Sequence, residues 1–301
     1  MPYKITVIGA VNIDICGKPS NKFVFQDSNV GSVSHTIGGV GFNVARDLSL
    51  LGAEVSFVAA LGDDTYSPEI ITEAKAFSVD MSLCRTFVGE RNSVYLFVTD
   101  ESGDMIAAVN DMRINNHLNE SYFAPIIDEI SKSDAVVIDA NLDADTLLYL
   151  CKNISVPIFA DAVSASKVAR LKACLPYLSL FKPNAIEAGV LCGFEVKDYE
   201  SAHKAAEYLV DTLGVGRVFI TMGAKGAVAY DGKNFVTKAP ITGEIVNTAG
   251  AGDAFFSCCV IATLDNKNSE ECCEFALKGA RCACEDENAV NINLKKITEK
   301  E

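Results

Sequence analysis

The chain has 301 residues, 49% of them hydrophobic and 22% charged. That is enough apolar material to bury a sizeable core, and it excludes disorder as the main description. With 26 basic against 40 acidic side chains the formal net charge is −14. The average surface therefore repels phosphate backbones and anionic lipid, and neither nucleic acid nor membrane is an expected partner. Backbone N–H groups at a helix N-terminus still make a local anion site, so nucleotide-sized pockets remain open.

No Pro/Gly/Ser-rich linker divides the sequence, which predicts one unit over residues 1–301. Residues 1–9 lack a basic start, an apolar run and a cleavage site. The longest near-apolar run, Ala254 to Ala262, is too short to span a bilayer. A cytoplasmic protein is expected. Eleven cysteines, an odd count, read as reduced and mostly buried thiols. The histidines His35, His117 and His203 do not cluster with them, so no structural metal is expected.

Along the chain, short β-branched runs alternate with amphipathic stretches. Residues 4–9, 55–60, 134–139, 156–160 and 217–221 read as buried strands. Between the first two, Val40, Val44, Leu48 and Leu51 fall on one helical face with Gly52 as the stop, and after the second Ser67-Pro68-Glu69 reads as the cap, Pro and acidic first turn of a further helix. This alternation predicts a mostly parallel sheet with helices on both faces, a three-layer αβα arrangement. Two segments break the rhythm. Residues 15–37 are polar without helical periodicity, and 93–98 and 105–109 flank the turn Asp100-Glu-Ser-Gly-Asp104 as a hairpin. Together they predict a small second sheet, within about 12–37 and 90–112, that covers a pocket or pairs with another subunit.

Asn247-Thr-Ala-Gly-Ala-Gly-Asp253 precedes a stretch with the composition of a buried helix. A helix starting near Gly250 aims the amides of Gly250, Ala251 and Gly252 at one spot, where the dipole favours an anion. Asp253 then lies in the first turn beside it. An anion cradle next to a carboxylate suits phosphoryl transfer, the amides holding the migrating group and the carboxylate taking the hydroxyl proton. A bland reading is equally open: an acidic first-turn residue complementing a helix dipole.

Gly38-Gly39-Val-Gly-Phe-Asn43 opens the helix at residue 40, leaving backbone open to a ligand hydroxyl, and Asn43 can both donate and accept. It fails as a dinucleotide fingerprint, because Val44 stands where Gly or Ala belongs, and as a Walker A motif, because no Lys-Ser/Thr follows. Asn12 and Asp14 follow the first strand, where parallel sheets place ligand groups; turn chemistry is the alternative. Asn184 and Glu187 have the spacing of a capping box or of an edge holding a hydrated Mg²⁺ on nucleotide phosphates. Thr221-Met-Gly223-Ala-Lys-Gly226 after a strand forms a nucleotide loop or a β-turn.

Taken in order, Gly-Gly-x-x-x-Asn at 38–43, Asn-x-x-Glu at 184–187, Thr-x-Gly-x-x-Gly at 221–226 and Gly-Ala-Gly-Asp at 250–253 resemble the PfkB carbohydrate kinases, the ribokinase-like family that includes ribokinase, adenosine kinase and many fructokinases. The resemblance runs from about Ile5 to about Asn288. It implies a three-layer αβα fold with a small β lid, ATP as phosphoryl donor, and Mg²⁺. It makes Asp253 the base and the 250–252 amides the anion hole. Asp14, Gly38, Gly39 and Asn43 become acceptor contacts, Asn12 stands beside them, Thr221, Gly223 and Gly226 belong to the ATP site, and Glu187 with Asn184 acts through the metal.

A narrower likeness is to the pseudouridine kinases within that family. It rests on Asp27-Ser-Asn29, Gly31, Gly38-Gly-Val-Gly-Phe-Asn43, Ala108-Val-Asn-Asp-Met112 and Asn247, where ribokinases carry an Asp that belongs to a monovalent-cation loop. It implies that Asn110 reads the amide edge of a uracil-like base, that Asn141 approaches the ribose, and that the reaction is ATP-dependent phosphorylation of the nucleoside 5′-hydroxyl. A kinase acting on ribose, fructose or adenosine, a silent nucleotide-binding regulator and a dehydrogenase are the rivals. A dimer through the lid is the expected assembly, and no K⁺ dependence is expected.

Overall fold

The computed structural model describes residues 1–298. In chain order the strands are β1 (Lys4–Ile8), β2 (Asn12–Pro19), β3 (Gly31–Gly38), β4 (Glu54–Val58), β5 (Ala60–Gly62), β6 (Arg85–Phe87), β7 (Ser93–Thr99), β8 (Met105–Asp111), β9 (Ala135–Asp139), β10 (Ile158–Asp161), β11 (Leu178–Lys182), β12 (Val218–Thr221), β13 (Ala227–Tyr230) and β14 (Phe235–Lys238). The α-helices are α1 (Val40–Leu50), α2 (Ser67–Ala76), α3 (Glu120–Phe123), α4 (Ile127–Ile130), α5 (Ala144–Asn153), α6 (Ala185–Cys192), α7 (Tyr199–Glu207), α8 (Ala251–Leu264) and α9 (Ser269–Ala283).

Eight strands form one sheet in the order β14-β13-β12-β11-β10-β9-β1-β4. It is parallel from β4 to β12, and β13 and β14 return antiparallel at the edge. Alternation along each strand divides the core. Val7, Phe57, Val137 and Phe159 pack with Phe42 and Leu48 of α1 and Phe255 of α8. Ile8, Val58, Val136 and Ile138 pack with Leu147 of α5, Leu191 of α6 and Ala205 of α7. The sheet thus lies between two helical layers. Burial on both faces is why its strands read as continuous apolar runs.

The polar stretch after β1 forms strands of a separate sheet, ordered β3-β2-β7-β8. Its helix-free hairpins explain the break in periodicity. Opposite residues of paired strands share a face. Thr36, Asp14, Tyr95 and Asn110 therefore make one row across the sheet, and His35, Ile15, Leu96 and Val109 make the next row on the other face.

Two local details differ from the sequence reading. Ser67 lies inside α2, whose N-cap is Tyr66, and its hydroxyl donates to the Gly62 carbonyl. Strand β11 has no counterpart among the predicted strands; it follows 3-10 turns at Val168–Leu171 and Leu175–Tyr177. No helix among the described residues is long and apolar enough to cross a membrane. The eleven cysteines are free thiols.

Candidate active site

Asn141, Asn184 and Thr221 lie at the carboxyl ends of β9, β11 and β12, Asn12, Asp14, Gly38 and Asn110 belong to the four-stranded sheet, and Asn43 and Asp253 meet where α1 and α8 begin. α8 starts at Ala251 with Gly250 as its N-cap. Gly250 takes φ +76°, and a Cβ there would stand 1.8 Å from the Ala289 carbonyl oxygen, so glycine alone fits this approach. The turn leaves the first amides of α8 without intrahelical acceptors, and Asp253 follows in that first turn.

Asp253 is buried and accepts a hydrogen bond from Asn43 Nδ2 at 2.7 Å. Asn43 Oδ1 in turn accepts from the Arg46 guanidinium at 2.6 Å. Arg46 also donates to the Ile37 carbonyl and pairs with Glu73 of α2. Three helices thereby fix the carboxylate. Asn43 uses one amide hydrogen and one oxygen lone pair in this chain and keeps one of each. Burial, then the charge of Asp161, pushes the Asp253 pKa up to about 7, against the opposing pull of Lys182, Asn43 and Arg46.

Asn12 and Asp14 begin β2, and the Asp14 carboxylate lies so close to Gly38 that a Cβ there would meet Oδ2 at 2.1 Å. Burial raises the Asp14 pKa to about 6, opposed by Asn12 and Arg46. Asn12 Oδ1 and Asp14 Oδ1 are both buried without a hydrogen-bond partner among the described residues. Unsatisfied buried acceptors side by side are what a polar ligand would complete. Gly39, the N-cap of α1, has φ +98°.

Asn184 and Glu187 form the capping box: Asn184 N donates to Glu187 Oε2 at 2.7 Å, and Glu187 N donates to Asn184 Oδ1 at 2.9 Å. Among the described residues Oε1 of Glu187 makes no hydrogen bond. Burial, then Asp161, raises the Glu187 pKa. One free carboxylate oxygen suits a hydrated Mg²⁺, which takes few protein ligands beside phosphates. No group of three or more metal-ligating side chains forms among the described residues. Asn184 also bridges in parallel to Thr221, which brings two separate motifs together. After Thr221 the loop closes on itself: Met222 N donates to the Gly226 carbonyl and Gly226 N to that of Gly223.

Asn110 lies on the same face and row as Asp14, with Tyr95 between them. Asn141, buried after β9, donates from Nδ2 to Asp139 at 2.9 Å and accepts from Lys167 at 2.6 Å. Lys167 also approaches Met112 Sδ at 3.2 Å, which links the end of β8 to Asn141.

The sequence reading did not single out Asp139, Asp161, Lys182, Arg46 or Tyr95. Asp139 accepts from the amides of Ala10, Gly41 and Asn141 and ties β1, α1 and β9 together. Asp161 and Lys182 end neighbouring strands in register and pair at 2.6 Å. The signal available was a charged residue closing an otherwise apolar strand. Tyr95 needed the hairpin register, and Arg46 its position three residues after Asn43.

The pfkB family carbohydrate kinase model matches residues 3–296. The chain is 31% identical over 297 residues to pseudouridine kinase from Escherichia coli (strain K12), covering 97% of this chain and 95% of that protein. It is 28% identical over 282 residues to guanosine-inosine kinase from Exiguobacterium acetylicum, covering 92% and 93%. Ribokinase from Arabidopsis thaliana, solved with ribose and ATP, superposes with a TM-score of 0.81 at 20% identity, covering the whole of both chains. The match spans both sheets and every motif described above, and the chain belongs to the pfkB family of carbohydrate kinases.

Proposed function

We propose that the protein transfers the γ-phosphoryl group of ATP to the 5′-hydroxyl of pseudouridine, giving pseudouridine 5′-phosphate and ADP. The observation that carries the substrate is the row Asp14–Tyr95–Asn110 on one face of the four-stranded sheet. It sets a carboxylate for ribose hydroxyls, an aromatic ring for a base to lie against, and an amide for the paired N–H and C=O groups of a uracil edge. The overall identity to a pseudouridine kinase supports the same reading.

In this scheme the acceptor lies between Asp14, Asn12 and the Gly38–Gly39 backbone, with Asn43 and Asn141 at its edge. Its 5′-oxygen points at Asp253. That oxygen attacks the γ-phosphorus as Asp253 takes its proton, the bond to the β-phosphate oxygen breaks, and the electron pair leaves with ADP. The amides of Gly250, Ala251 and Gly252 hold the phosphoryl oxygens. Thr221, Gly223, Gly226 and Asn184 line the nucleotide, and Glu187 would hold Mg²⁺ through Oε1. When bound, that ion neutralises charge between the β- and γ-phosphates.

Purified protein with ATP, Mg²⁺ and pseudouridine, uridine, ribose, fructose, adenosine, guanosine or inosine tests the proposal, with ADP release as readout and ³¹P NMR locating the new ester. Pseudouridine should give a kcat/KM at least tenfold above every other acceptor, and a purine nucleoside or free sugar in first place overturns the assignment. The guanosine-inosine kinase relative is the specific reason to include purines.

The opposite face of the same sheet exposes Val33, Leu96 and Val109. A second copy of the chain is the proposed occupant of this apolar surface. Light scattering should give twice the chain mass; a monomer at micromolar concentration contradicts this.

A further inference from the structure

Lys182 is a buried cation for which the scheme above has no use. It ends β11, and alternation after Leu180, which packs with the α8 layer, turns it toward that layer. Its ammonium lies 2.6 Å from Asp161 Oδ2 and 3.4 Å from the Gly252 carbonyl oxygen. Gly252 keeps the side of the helix open, since a Cβ there would stand 3.2 Å from Nζ.

A single pairing partner is a poor explanation for this residue. A buried ion pair contributes little stability over a well-packed apolar pair. Here three carboxylates, Asp161, Asp253 and Glu187, act on the same ammonium; burial works against its charge, yet they hold its pKa above the ordinary lysine value. Such an acidic surround repels the terminal phosphate that has to arrive at the α8 N-terminus. A lysine ammonium carries three rotatable donors on a flexible stem and can change partners without leaving the site.

We propose that Lys182 is a catalytic residue whose ammonium turns from Asp161 to donate a hydrogen bond to a non-bridging oxygen of the migrating phosphoryl group. It moves no proton. The O–P bond forms at the acceptor, the P–O bond to ADP breaks, and the acceptor proton goes to Asp253, while Lys182 offsets the negative charge that the phosphoryl oxygens carry throughout. Asp161 serves as the resting partner. The inference rests on ATP as donor and is independent of which nucleoside accepts.

Calorimetric titration of Lys182→Met with Mg²⁺ and either AMP-PNP or ADP tests it without any acceptor. Affinity for AMP-PNP should fall about tenfold or more, affinity for ADP should stay within twofold, and turnover with the best acceptor should fall about a hundredfold or more. The double variant Lys182→Met/Asp161→Leu removes both charges together and guards against a folding defect; it should show the same selective loss. Asp161→Asn, which retains the ammonium, should keep the preference for AMP-PNP over ADP. Equal weakening of both nucleotides, or turnover within threefold of the parent, overturns the proposal.

Discussion

Gly38→Ala is a narrow probe of the acceptor side. A Cβ at this position would stand 2.1 Å from Asp14 Oδ2 and 2.9 Å from its Cγ, where ordinary contact begins at 3.4 Å. Gly38 is not among the residues with positive φ, so alanine meets no backbone penalty and acts through contact alone. To restore contact distance the Asp14 carboxylate has to move by more than 1 Å. Misplacement on that scale costs on the order of a hundredfold in rate when the group positions a reacting substrate, and overpacking of this kind destabilises a fold by about 1–3 kcal/mol. The variant should therefore fold, bind ATP as the parent does, and lose about a hundredfold in kcat/KM for the acceptor. Initial rates at saturating ATP, nucleotide titration and a thermal melt give the three readings. A kcat/KM within threefold of the parent would show that Asp14 does not meet the acceptor.

The other predictions concern the base, the anion turn and the loop before it. With the Asp253 pKa raised to about 7, kcat/KM should climb through that pH and level off above it as the carboxylate becomes able to take the proton; a profile flat from pH 5.5 to 8.5 contradicts this. The same shift makes the unliganded fold bind a proton that the unfolded chain releases near the ordinary aspartate value of 3.8, so this contribution to stability is complete below about pH 4 and is lost as pH rises through 7. Melting at pH 5 against pH 8 checks the sign. Gly250→Ala combines positive φ with a contact of 1.8 Å and should cost about 3 kcal/mol or more, read as a lowered denaturation midpoint. Asn247 donates to the Glu287 carbonyl at 2.8 Å and accepts from Ala249 N at 3.0 Å, bridging within the chain, so rates in potassium and in tetramethylammonium buffers should agree within twofold; tenfold activation by potassium would refute this.

The alternating pattern of buried strands and amphipathic stretches made the three-layer architecture legible, because strands buried on both faces must read as apolar runs. The site was legible where chemistry and backbone geometry coincide. The glycines at 38, 39, 250 and 252 and the carboxylate at 253 belong to short segments whose conformation depends on their own residues. Asn184–Glu187 was legible as two readings, and the structure displays the capping box while leaving Oε1 free for the other. What stayed hidden arises from register between distant strands. Asp161 meets Lys182 because β10 and β11 are neighbours, and Tyr95 joins Asp14 and Asn110 only once β2, β7 and β8 are aligned. The chain Glu73–Arg46–Asn43–Asp253 likewise needs three helices in place.

The most direct test of the phosphoryl-transfer scheme is a paired measurement on Asp253→Asn, which preserves shape and removes the proton acceptor. The account predicts Mg²⁺–ATP affinity close to the parent's together with turnover reduced about a hundredfold or more. Turnover near the parent's, with the substitution verified by mass, would contradict it.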